Sequence, residues 1–358
     1  MSKFYPLTVS TVRQETRDTI SVTFEVPVEL LESFSYQQGQ HLTLRTQIGE
    51  DDVRRSYSIC SAVQDKCLRV AIKRTPGGLF SSWANEHLKP GHTLEVMPPM
   101  GHFNVPLDAS IPRHYAAFAA GSGITPILSI IKTTLMTEPN STFTLVYGNR
   151  ASSSVIFRDE LSELKDTYLE RLNIVYVMSR EQQDIELFNG RITKEKAEQL
   201  LKHWTPVENI DVAFICGPED MMLGVSAALQ EAGMPKSNIK VELFAASIPK
   251  HQHKPRVFEA EVKHETEVTV ILDGSASTFT MEKDKESVLD AGLRAGIDMR
   301  YSCKGGVCST CRCKVLDGKV EMDVNYALED YEVARGFVLS CQSFPISDKV
   351  VIDFDQHE

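Results

Sequence analysis

The stretch that decides the fold contains three cysteines and reads Tyr301-Ser302-Cys303-Lys304-Gly305-Gly306-Val307-Cys308-Ser309-Thr310-Cys311. A fourth cysteine, Cys341, follows thirty residues later. This C-x4-C-x2-C…C spacing is typical of the thiolates that bind a plant-type [2Fe–2S] cluster. The two glycines let the chain fold closely around such a cluster, with backbone N–H groups directed at sulfur. The sequence therefore predicts that the cluster ligands are Cys303, Cys308, Cys311 and Cys341.

Two other interpretations of these cysteines remain open. A structural zinc site usually combines two C-x2-C segments, and this region has one, from Cys308 to Cys311. The cysteines could also be reduced thiols that bind nothing. Cys313 is a fifth thiol close to the four, and we expect it to pack in the interior without binding iron.

Composition indicates a soluble protein of two or three domains. Of the 358 residues, 42% are hydrophobic and 24% are charged, which is an ordinary mixture for such proteins. Neither a signal peptide nor an apolar run of membrane-spanning length is apparent. The remaining cysteines, Cys60, Cys67 and Cys216, lack the spacing of a disulfide framework. We therefore expect a cytoplasmic protein that does not bind membranes.

The negative charge is concentrated near the C-terminus. The segment from Pro255 to Glu358 contains 20 acidic and 12 basic residues, in a chain with a net charge of −11. Such a surface repels nucleic acid and favours a basic face on a protein partner. We expect a protein partner and no nucleic-acid binding, although a merely solvated acidic surface is the alternative.

The first part of the chain, to about Asp108, has the pattern of an antiparallel β-barrel. Polar and apolar residues alternate in Thr19–Val26 and His41–Leu44, with turn signals between the strands.

A short run within this barrel has residue types that suit a flavin nucleotide. In Arg54-Arg55-Ser56-Tyr57-Ser58, one guanidinium group can bind pyrophosphate oxygens, the Tyr57 ring can lie against the flavin ring, and the Ser58 hydroxyl can reach the flavin N5 atom. After the strand Leu68–Lys73, the turn Gly77-Gly78 and the helix expected near Ser81 offer free N–H groups to phosphate.

After Ile111 the pattern changes to alternating strands and helices, which is typical of a doubly wound parallel sheet. The strand Arg113–Ala120 runs through Gly121-Ser122-Gly123-Ile124-Thr125-Pro126 into a helix predicted over Ile127–Thr137. Glycines before a helix N-terminus form a phosphate-binding turn. Cys216-Gly217-Pro218 is a second turn at the ligand-binding edge of the sheet. Further strands are predicted at Phe143–Tyr147, Leu172–Met178, Val212–Ile215 and Ile239–Leu243, and helices at Phe157–Leu164, Thr193–His203 and Glu219–Ala232.

The polar segment Ala245–Arg256 contains two prolines and is predicted to be a linker that acts as a tether. A metal site at His251 and His253 is the alternative, but no acid or cysteine lies nearby. A separate domain then follows. Its predicted elements are strands near Glu259–Lys263 and Val268–Leu272, a turn at Asp273-Gly274, and a helix over Ser287–Ala295.

The order of these motifs resembles the ferredoxin–NADP reductase superfamily with a ferredoxin domain fused at the C-terminus. The motifs are R-x-Y-S, G-S-G-I-T-P, C-G-P and the four-cysteine pattern, and the resemblance covers essentially the whole chain. The runs Glu95–Phe103, Phe214–Pro218 and Tyr301–Gln342 resemble more closely the reductase components of bacterial phenylacetyl-CoA epoxidases. The resemblance implies an antiparallel β-barrel flavin domain at 1–108, a doubly wound α/β NAD(P)-binding domain at 109–247 and an α+β (β-grasp) ferredoxin domain at 257–358.

The resemblance also implies the site residues. FAD is the flavin it implies, although related enzymes with the same domain order can carry FMN. The residues implied to bind FAD are Arg55, Ser56, Tyr57, Ser58, Ile72, Lys73, Gly77, Gly78 and Ser81. Those implied to bind the nicotinamide nucleotide are Gly121, Ser122, Gly123, Thr125, Cys216, Gly217 and Pro218. Ser58 and Cys216 are implied to be the catalytic residues.

Residues at the strand ends near the adenosine distinguish NADPH from NADH. An acid there binds the free 2′-hydroxyl of NAD, whereas arginine pairs with the 2′-phosphate of NADP. The residues at these positions resemble those of NADP-type members, and we predict NADPH as the coenzyme. They are Arg150, Ser179, Arg180 and Arg191.

Together these observations predict a reductase that passes electrons from NADPH through FAD and the [2Fe–2S] cluster to the oxygenase component of a multicomponent complex. The resemblance implies the phenylacetyl-CoA epoxidase of phenylacetate degradation as that oxygenase. One alternative is the reductase of a Rieske or other ring-hydroxylating oxygenase. Another is a non-enzymatic iron–sulfur electron carrier whose flavin site is vestigial.

Overall fold

The structure is a computed structural model that describes residues 4–244 and 264–356. Its contacts divide the chain into two compact units. The larger unit contains a six-stranded and a five-stranded sheet, and the smaller unit contains a five-stranded and a two-stranded sheet. The predicted linker Ala245–Arg256, the predicted strand Glu259–Lys263 and the predicted boundaries at residues 247 and 257 lie outside the described residues.

The first sheet of the larger unit is antiparallel, as predicted for the barrel. Apolar residues such as Leu7, Val22 and Leu42 recur along its strands and fill the interior. The helix α1 (Leu79–His87) follows this sheet's fifth strand. The strands, in the spatial order β4-β3-β6-β1-β2-β5, are β1 (Tyr5–Thr16), β2 (Thr19–Glu25), β3 (His41–Ile48), β4 (Asp51–Ser58), β5 (Leu68–Lys73) and β6 (Thr93–Val96).

The second sheet is parallel, and its strand order is β11-β10-β7-β8-β9. The chain adds β8 and β9 on one side of β7 and then crosses back to add β10 and β11 on the other side, as in doubly wound folds. Its strands are β7 (His114–Ala120), β8 (Thr142–Asn149), β9 (Leu172–Met178), β10 (Val212–Gly217) and β11 (Ile239–Leu243). Its helices are α2 (Ile124–Thr137), α3 (Arg158–Thr167), α4 (Lys194–His203) and α5 (Glu219–Glu231). The helix α2 begins at Ile124 rather than at the predicted Ile127, because Pro126 is tolerated in the first turn of a helix.

A network of charged side chains joins the two sheets of the larger unit. Lys132 of α2 places its Nζ 2.9 Å from Glu160 Oε1 of α3 and also contacts Asp65. Arg69 of β5 donates to both oxygens of Glu160 at 2.8 and 2.9 Å. Because both cations share one carboxylate, this network ties β5 to α2 and α3.

The barrel also buries a histidine whose charge state depends on the fold. His41 begins β3, and within the described residues its Nε2 has no hydrogen-bond partner. Burial, with a smaller contribution from His102, lowers the pKa of His41 to about 4. Gly101 is required beside it, because a Cβ at that position would lie 2.9 Å from His41 Nδ1. His41 is therefore neutral in the folded protein.

Acidification below pH 6.5 is expected to destabilise the larger unit through His41. The unfolded chain binds a proton at His41 below its ordinary pKa of about 6.5, whereas the folded chain does so only near the lowered pKa of about 4. Stability is therefore lost as pH falls through this window, by roughly 2 kcal/mol at pH 5. Urea unfolding at pH 7 and pH 5 measures the loss, which should shrink in His41→Gln and persist in His92→Gln, a change at an exposed histidine. Equal pH dependence in all three proteins would contradict this role of His41.

The smaller unit packs a helix against a mixed sheet, as predicted for a β-grasp domain. The parallel pair β12–β18 lies at its centre, and its order is β13-β12-β18-β14-β16. The strands are β12 (Glu265–Leu272), β13 (Ser275–Glu282), β14 (Arg312–Asp317), β16 (Phe337–Leu339) and β18 (Lys349–Asp353), with a second sheet of β15 (Val320–Met322) and β17 (Ser343–Pro345). The helices are α6 (Val288–Arg294) and α7 (Asp330–Ala334).

The turn predicted at Asp273-Gly274 and the helix predicted over Ser287–Ala295 are both present in this unit. Asp273 and Gly274 both have positive φ, of 51° and 73°, and form the tight hairpin turn between β12 and β13. Ser287 caps α6, because its Oγ accepts a hydrogen bond from Asp290 N at 3.1 Å.

The helices of both units are too short or too polar to cross a membrane. This holds for every helix within residues 4–244 and 264–356.

Candidate functional site

The residues predicted to bind flavin come from β4, the end of β5 and the start of α1. Arg55 is exposed near the end of β4, and the Tyr57 ring centroid lies 5.6 Å from that of Phe80 in α1. Ser56 is half-buried and Ser58 is buried. Ile72 differs from the other predicted residues because its side chain lies inside the barrel and its carbonyl accepts a hydrogen bond from Asn85.

The turn before α1 is shaped for close approach of another group. Gly77 has a φ of +73° and open space where a Cβ would be. A Cβ at Gly78 would lie 2.6 Å from Ser81 Oγ, which itself accepts a hydrogen bond from Thr75 N at 3.1 Å. No side chain caps α1. The N-terminal N–H groups of this helix are therefore the part of the turn that suits a pyrophosphate.

The two turns predicted to bind nicotinamide nucleotide are in direct contact. A Cβ at Gly123 would lie 2.0 Å from the Cys216 carbonyl oxygen, so only glycine fits there. Tyr147 donates a hydrogen bond to the Gly121 carbonyl at 2.9 Å, and Thr125 donates to the Ser122 carbonyl at 3.0 Å. The remaining predicted residues of the second turn, Gly217 and Pro218, end β10 and precede α5.

Lys73, a residue predicted to bind flavin, lies close to the first turn predicted to bind the nicotinamide nucleotide. Its Nζ lies 3.8 Å from the position that a Cβ would occupy at Gly121. It also lies 3.9 Å from Asp18 Oδ2. An ammonium group placed between the two predicted phosphate turns can offset the negative charge of either nucleotide.

A carboxylate that the sequence analysis missed joins the two predicted catalytic residues. Ser58 Oγ donates to Glu242 Oε2 at 3.4 Å, and Glu242 of β11 is directly paired with Cys216 of β10. Burial, followed by the charge of Glu242, raises the pKa of the Cys216 thiol well above its usual range. The thiol therefore stays protonated and neutral beside the carboxylate.

The arginines predicted to select the coenzyme meet at the carboxyl ends of β8 and β9. Arg180 N donates to the Arg150 carbonyl at 2.8 Å, and Ser179 N donates to the Asn149 carbonyl at 2.9 Å. Gly190 N donates to the Met178 carbonyl, which brings the neighbouring Arg191 to the same edge. All three guanidinium groups are exposed.

Glu181, the acidic residue that follows Arg180, is already hydrogen-bonded to another residue of the chain. Both oxygens of the Glu181 carboxylate accept hydrogen bonds from Ser152, one from its backbone N–H at 2.8 Å and one from its hydroxyl. These bonds lower the pKa of Glu181. The strand edge thus presents arginine rather than carboxylate to a nucleotide.

The cysteine loop winds tightly, with positive φ at Lys304, Gly306 and Ser309. Gly305 N donates to Cys303 Sγ at 3.3 Å, which is the predicted backbone contact to sulfur. A Cβ at Gly306 would lie 3.1 Å from the Gln342 side chain and 3.2 Å from the Val324 carbonyl. The loop therefore needs glycine at this position to close over the thiols.

The four predicted ligands form two thiol pairs. A hydrogen bond between Cys303 and Cys308 lowers the pKa of Cys303 to about 7, and a hydrogen bond to Cys341 raises the pKa of Cys311. Across residues 4–244 and 264–356, no three Cys, His, Asp or Glu side chains are grouped as ligands of a single metal ion. Two pairs suit a cluster of two irons, each bound by two thiolates. Cys313 is buried on β14, and its Sγ faces the Val338 carbonyl, as expected for a packed thiol.

Comparison with protein-family models agrees with this arrangement. Residues 6–105 match an oxidoreductase FAD-binding domain, residues 118–227 an oxidoreductase NAD-binding domain, and residues 270–345 a 2Fe-2S iron-sulfur cluster binding domain. The chain belongs to the ferredoxin–NADP reductase superfamily, in the group of reductases that carry a fused C-terminal ferredoxin domain. It is an NAD(P)H-dependent oxidoreductase, and the predicted fold class and the predicted FAD, nicotinamide nucleotide and [2Fe–2S] cofactors are confirmed.

Individual relatives place the chain more narrowly. It is 47% identical over 355 residues to a component of the 1,2-phenylacetyl-CoA epoxidase of Escherichia coli (strain K12), covering 99% of both chains. It is 38% identical over 353 residues to the ferredoxin reductase component of 3-ketosteroid-9-alpha-monooxygenase from Rhodococcus rhodochrous, covering 97% of this chain and 96% of the relative. Both relatives are components of oxygenase systems.

Among solved structures, phthalate dioxygenase reductase has the same fold. It matches with a TM-score of 0.58 and 22% identity over 98% of both chains. An intact type IV self-sufficient cytochrome P450 monooxygenase matches with a TM-score of 0.68 and 24% identity, covering 98% of this chain and 41% of that one.

Proposed function

We propose that this chain is the NADPH-dependent reductase component of a phenylacetyl-CoA epoxidase, which delivers electrons to the oxygenase component of that complex. The observation that supports this most directly is the 47% identity to the epoxidase component of Escherichia coli over 99% of both chains. The site gives a physical reason for electron transfer from NADPH to flavin. The turns suited to the flavin and to the nicotinamide nucleotide belong to the same compact unit. When bound, the flavin accepts two electrons as a hydride and releases them singly to the cluster, which is the chemistry that an oxygenase requires.

The residues of the chain have distinct roles in this proposal. Arg55 and the N-terminus of α1 bind the FAD pyrophosphate, and Tyr57 supports the flavin ring against Phe80. Ser58 and Cys216 flank the place where the flavin and nicotinamide rings meet. Neutral Cys216 provides a close-packed wall there, while Glu242 Oε2 accepts the Ser58 hydrogen bond.

The preference for NADPH rests on the strand edge formed by β8 and β9. Arg150, Arg180 and Arg191 supply the positive charge that a 2′-phosphate requires, and Ser179 supplies a hydroxyl. The acid at this edge, Glu181, is bonded to Ser152 and so is not free to bind a 2′-hydroxyl. A cytoplasmic location belongs to the same proposal, since NADPH and reduced cysteines are typical of that compartment.

Reconstitution with two oxygenase components tests the partner. NADPH consumption should be coupled to epoxide formation when the purified protein is mixed with the oxygenase component of phenylacetyl-CoA epoxidase. A second oxygenase, the 3-ketosteroid-9-alpha-monooxygenase terminal component, serves as the comparison because a relative of this chain is its reductase. Higher coupled turnover with the steroid system would reject the epoxidase assignment and favour the alternative oxygenase.

A further inference from the structure

A buried ion pair lies beside the thiol pair Cys311–Cys341. Arg312 directly follows Cys311 and opens β14, where it is paired with Leu339 of β16. Ser340 N donates to the Cys311 carbonyl at 3.1 Å, so Cys311, just before β14, and Cys341, just after β16, lie at the same end of this strand pair. The backbone of Arg312 is therefore held next to one half of the predicted cluster site.

The guanidinium group of Arg312 is withdrawn from solvent. Its side chain is 16% exposed, and that of its partner Glu332 in α7 is 3% exposed. Arg312 Nε lies 2.9 Å from Glu332 Oε1 without the alignment of a hydrogen bond, so charge attraction holds the pair. The guanidinium carbon also lies 3.7 Å from the centroid of the Phe337 ring. These contacts hold the cation in one place.

The other oxygen of Glu332 anchors the helix. Glu332 Oε2 accepts a hydrogen bond from Glu329 N at 3.0 Å, which caps the start of α7. The carboxylate is thus fixed from both sides, by its own helix and by Arg312. Both members of the pair are consequently fixed charges rather than mobile surface groups.

We propose that the Arg312–Glu332 pair sets the reduction potential of the [2Fe–2S] cluster. Reduction adds one negative charge to the cluster, and the potential of such a cluster depends on nearby charge and on solvent exposure. Arg312 favours the reduced cluster, and Glu332 opposes it by cancelling part of that positive charge. Because Glu332 is buried and Arg312 is largely withdrawn from solvent, solvent and salt screen them weakly. The inference rests on the cluster assignment in the proposed function.

A second ion pair in the same loop serves as a matched control. Lys304 directly follows Cys303, just as Arg312 follows Cys311, and its Nζ lies 2.8 Å from Asp290 Oδ1. Both of these side chains are 44% exposed. Solvent screens an exposed pair, so removing either of its charges should have a much smaller effect on the cluster.

The test is a spectroelectrochemical titration of the full-length protein, followed by visible absorbance and by electron paramagnetic resonance of the reduced cluster. Glu332→Gln leaves the Arg312 charge uncompensated and should raise the equilibrium constant for cluster reduction roughly tenfold, which is about 59 mV for a one-electron couple. Arg312→Gln should lower the constant by a similar factor. The double variant restores the charge balance and should return close to the wild-type potential. Asp290→Asn and Lys304→Gln should each change the equilibrium constant for cluster reduction by less than about twofold, which is under a third of the tenfold effect on a logarithmic scale.

The possible results distinguish a failure of the cluster assignment from a failure of the proposed effect of the Arg312–Glu332 pair. Wild-type protein that binds no iron and sulfide would refute the cluster assignment itself. A loaded Glu332→Gln variant with an unchanged potential, or with no larger shift than Asp290→Asn, would overturn the proposal alone. Single variants that both fail to load, while the double variant loads, would assign the pair a structural role and reject the proposal. A double variant that also fails to load would assign the pair a purely structural role and reject the proposal.

Discussion

Replacing Cys308 with Ser is expected to abolish cluster binding and electron delivery to one-electron protein acceptors, while NADPH continues to reduce the bound flavin. Cys308 is buried and pairs with Cys303, and all four predicted ligands belong to the smaller unit. The residues predicted to bind NADPH all lie in the larger unit. Iron and sulfide analysis, cytochrome c reduction and anaerobic bleaching of the flavin absorbance measure the three properties separately.

Cys313→Ser is the matched control for this experiment. Cys313 is buried two positions beyond Cys311, but its thiol faces the Val338 carbonyl. Its replacement should keep the cluster, at a cost in stability of about 1–3 kcal/mol for a buried hydroxyl that is poorly paired. A folded Cys308→Ser protein that also loses flavin reduction would show that the two roles are not separate. Loss of the cluster in Cys313→Ser would show that the ligand set is wrong.

Arg180→Ala is expected to raise the KM for NADPH on the order of 10- to 100-fold and to leave the KM for NADH nearly unchanged. The variant loses a charge-assisted contact of about 1.5–3 kcal/mol with the 2′-phosphate of NADPH. NADH has no 2′-phosphate, so its binding loses nothing. Backbone pairing holds Arg180 beside Arg150, so the two arginines should act on the same phosphate. Steady-state kinetics with both coenzymes measure the effect.

Lys202→Ala provides the control for Arg180→Ala, because Lys202 is an exposed cation in the last turn of α4, a helix that packs against α5. It should change neither KM. Equal increases for NADPH and NADH in Arg180→Ala would reject a contact with the 2′-phosphate and leave a general effect on nucleotide binding.

Much of the fold could be predicted because local sequence signals agree with it. The G-S-G turn lies between β7 and α2, the Asp273-Gly274 pair makes the hairpin, and Ser287 caps α6. The cysteine spacing was the strongest signal, since a loop with a fixed ligand order leaves few alternatives. Errors were confined mainly to element ends, as at Ile124, where a proline in the first turn does not stop a helix.

The features that the sequence analysis missed depend on contacts between distant segments. Glu242 reaches Ser58 only because β11 lies beside β10 and the larger unit brings β4 to that edge. One signal could have found it, because an acid near the carboxyl end of a parallel strand lies at the ligand-binding edge. The Arg312–Glu332 pair has no such signal, since it depends on the packing of α7 against β14.

An anaerobic titration with NADPH tests the central claim of electron flow from nucleotide to cluster most directly. Purified protein should show flavin and cluster absorbance together, and added NADPH should bleach the flavin and produce the electron paramagnetic resonance signal of a reduced [2Fe–2S] cluster. The signal should reach the intensity that dithionite produces. The rate constant for cluster reduction should not depend on protein concentration, because both groups are on one chain. A cluster that stays oxidised with NADPH but is reduced by dithionite, or a protein that contains no flavin, would contradict the account.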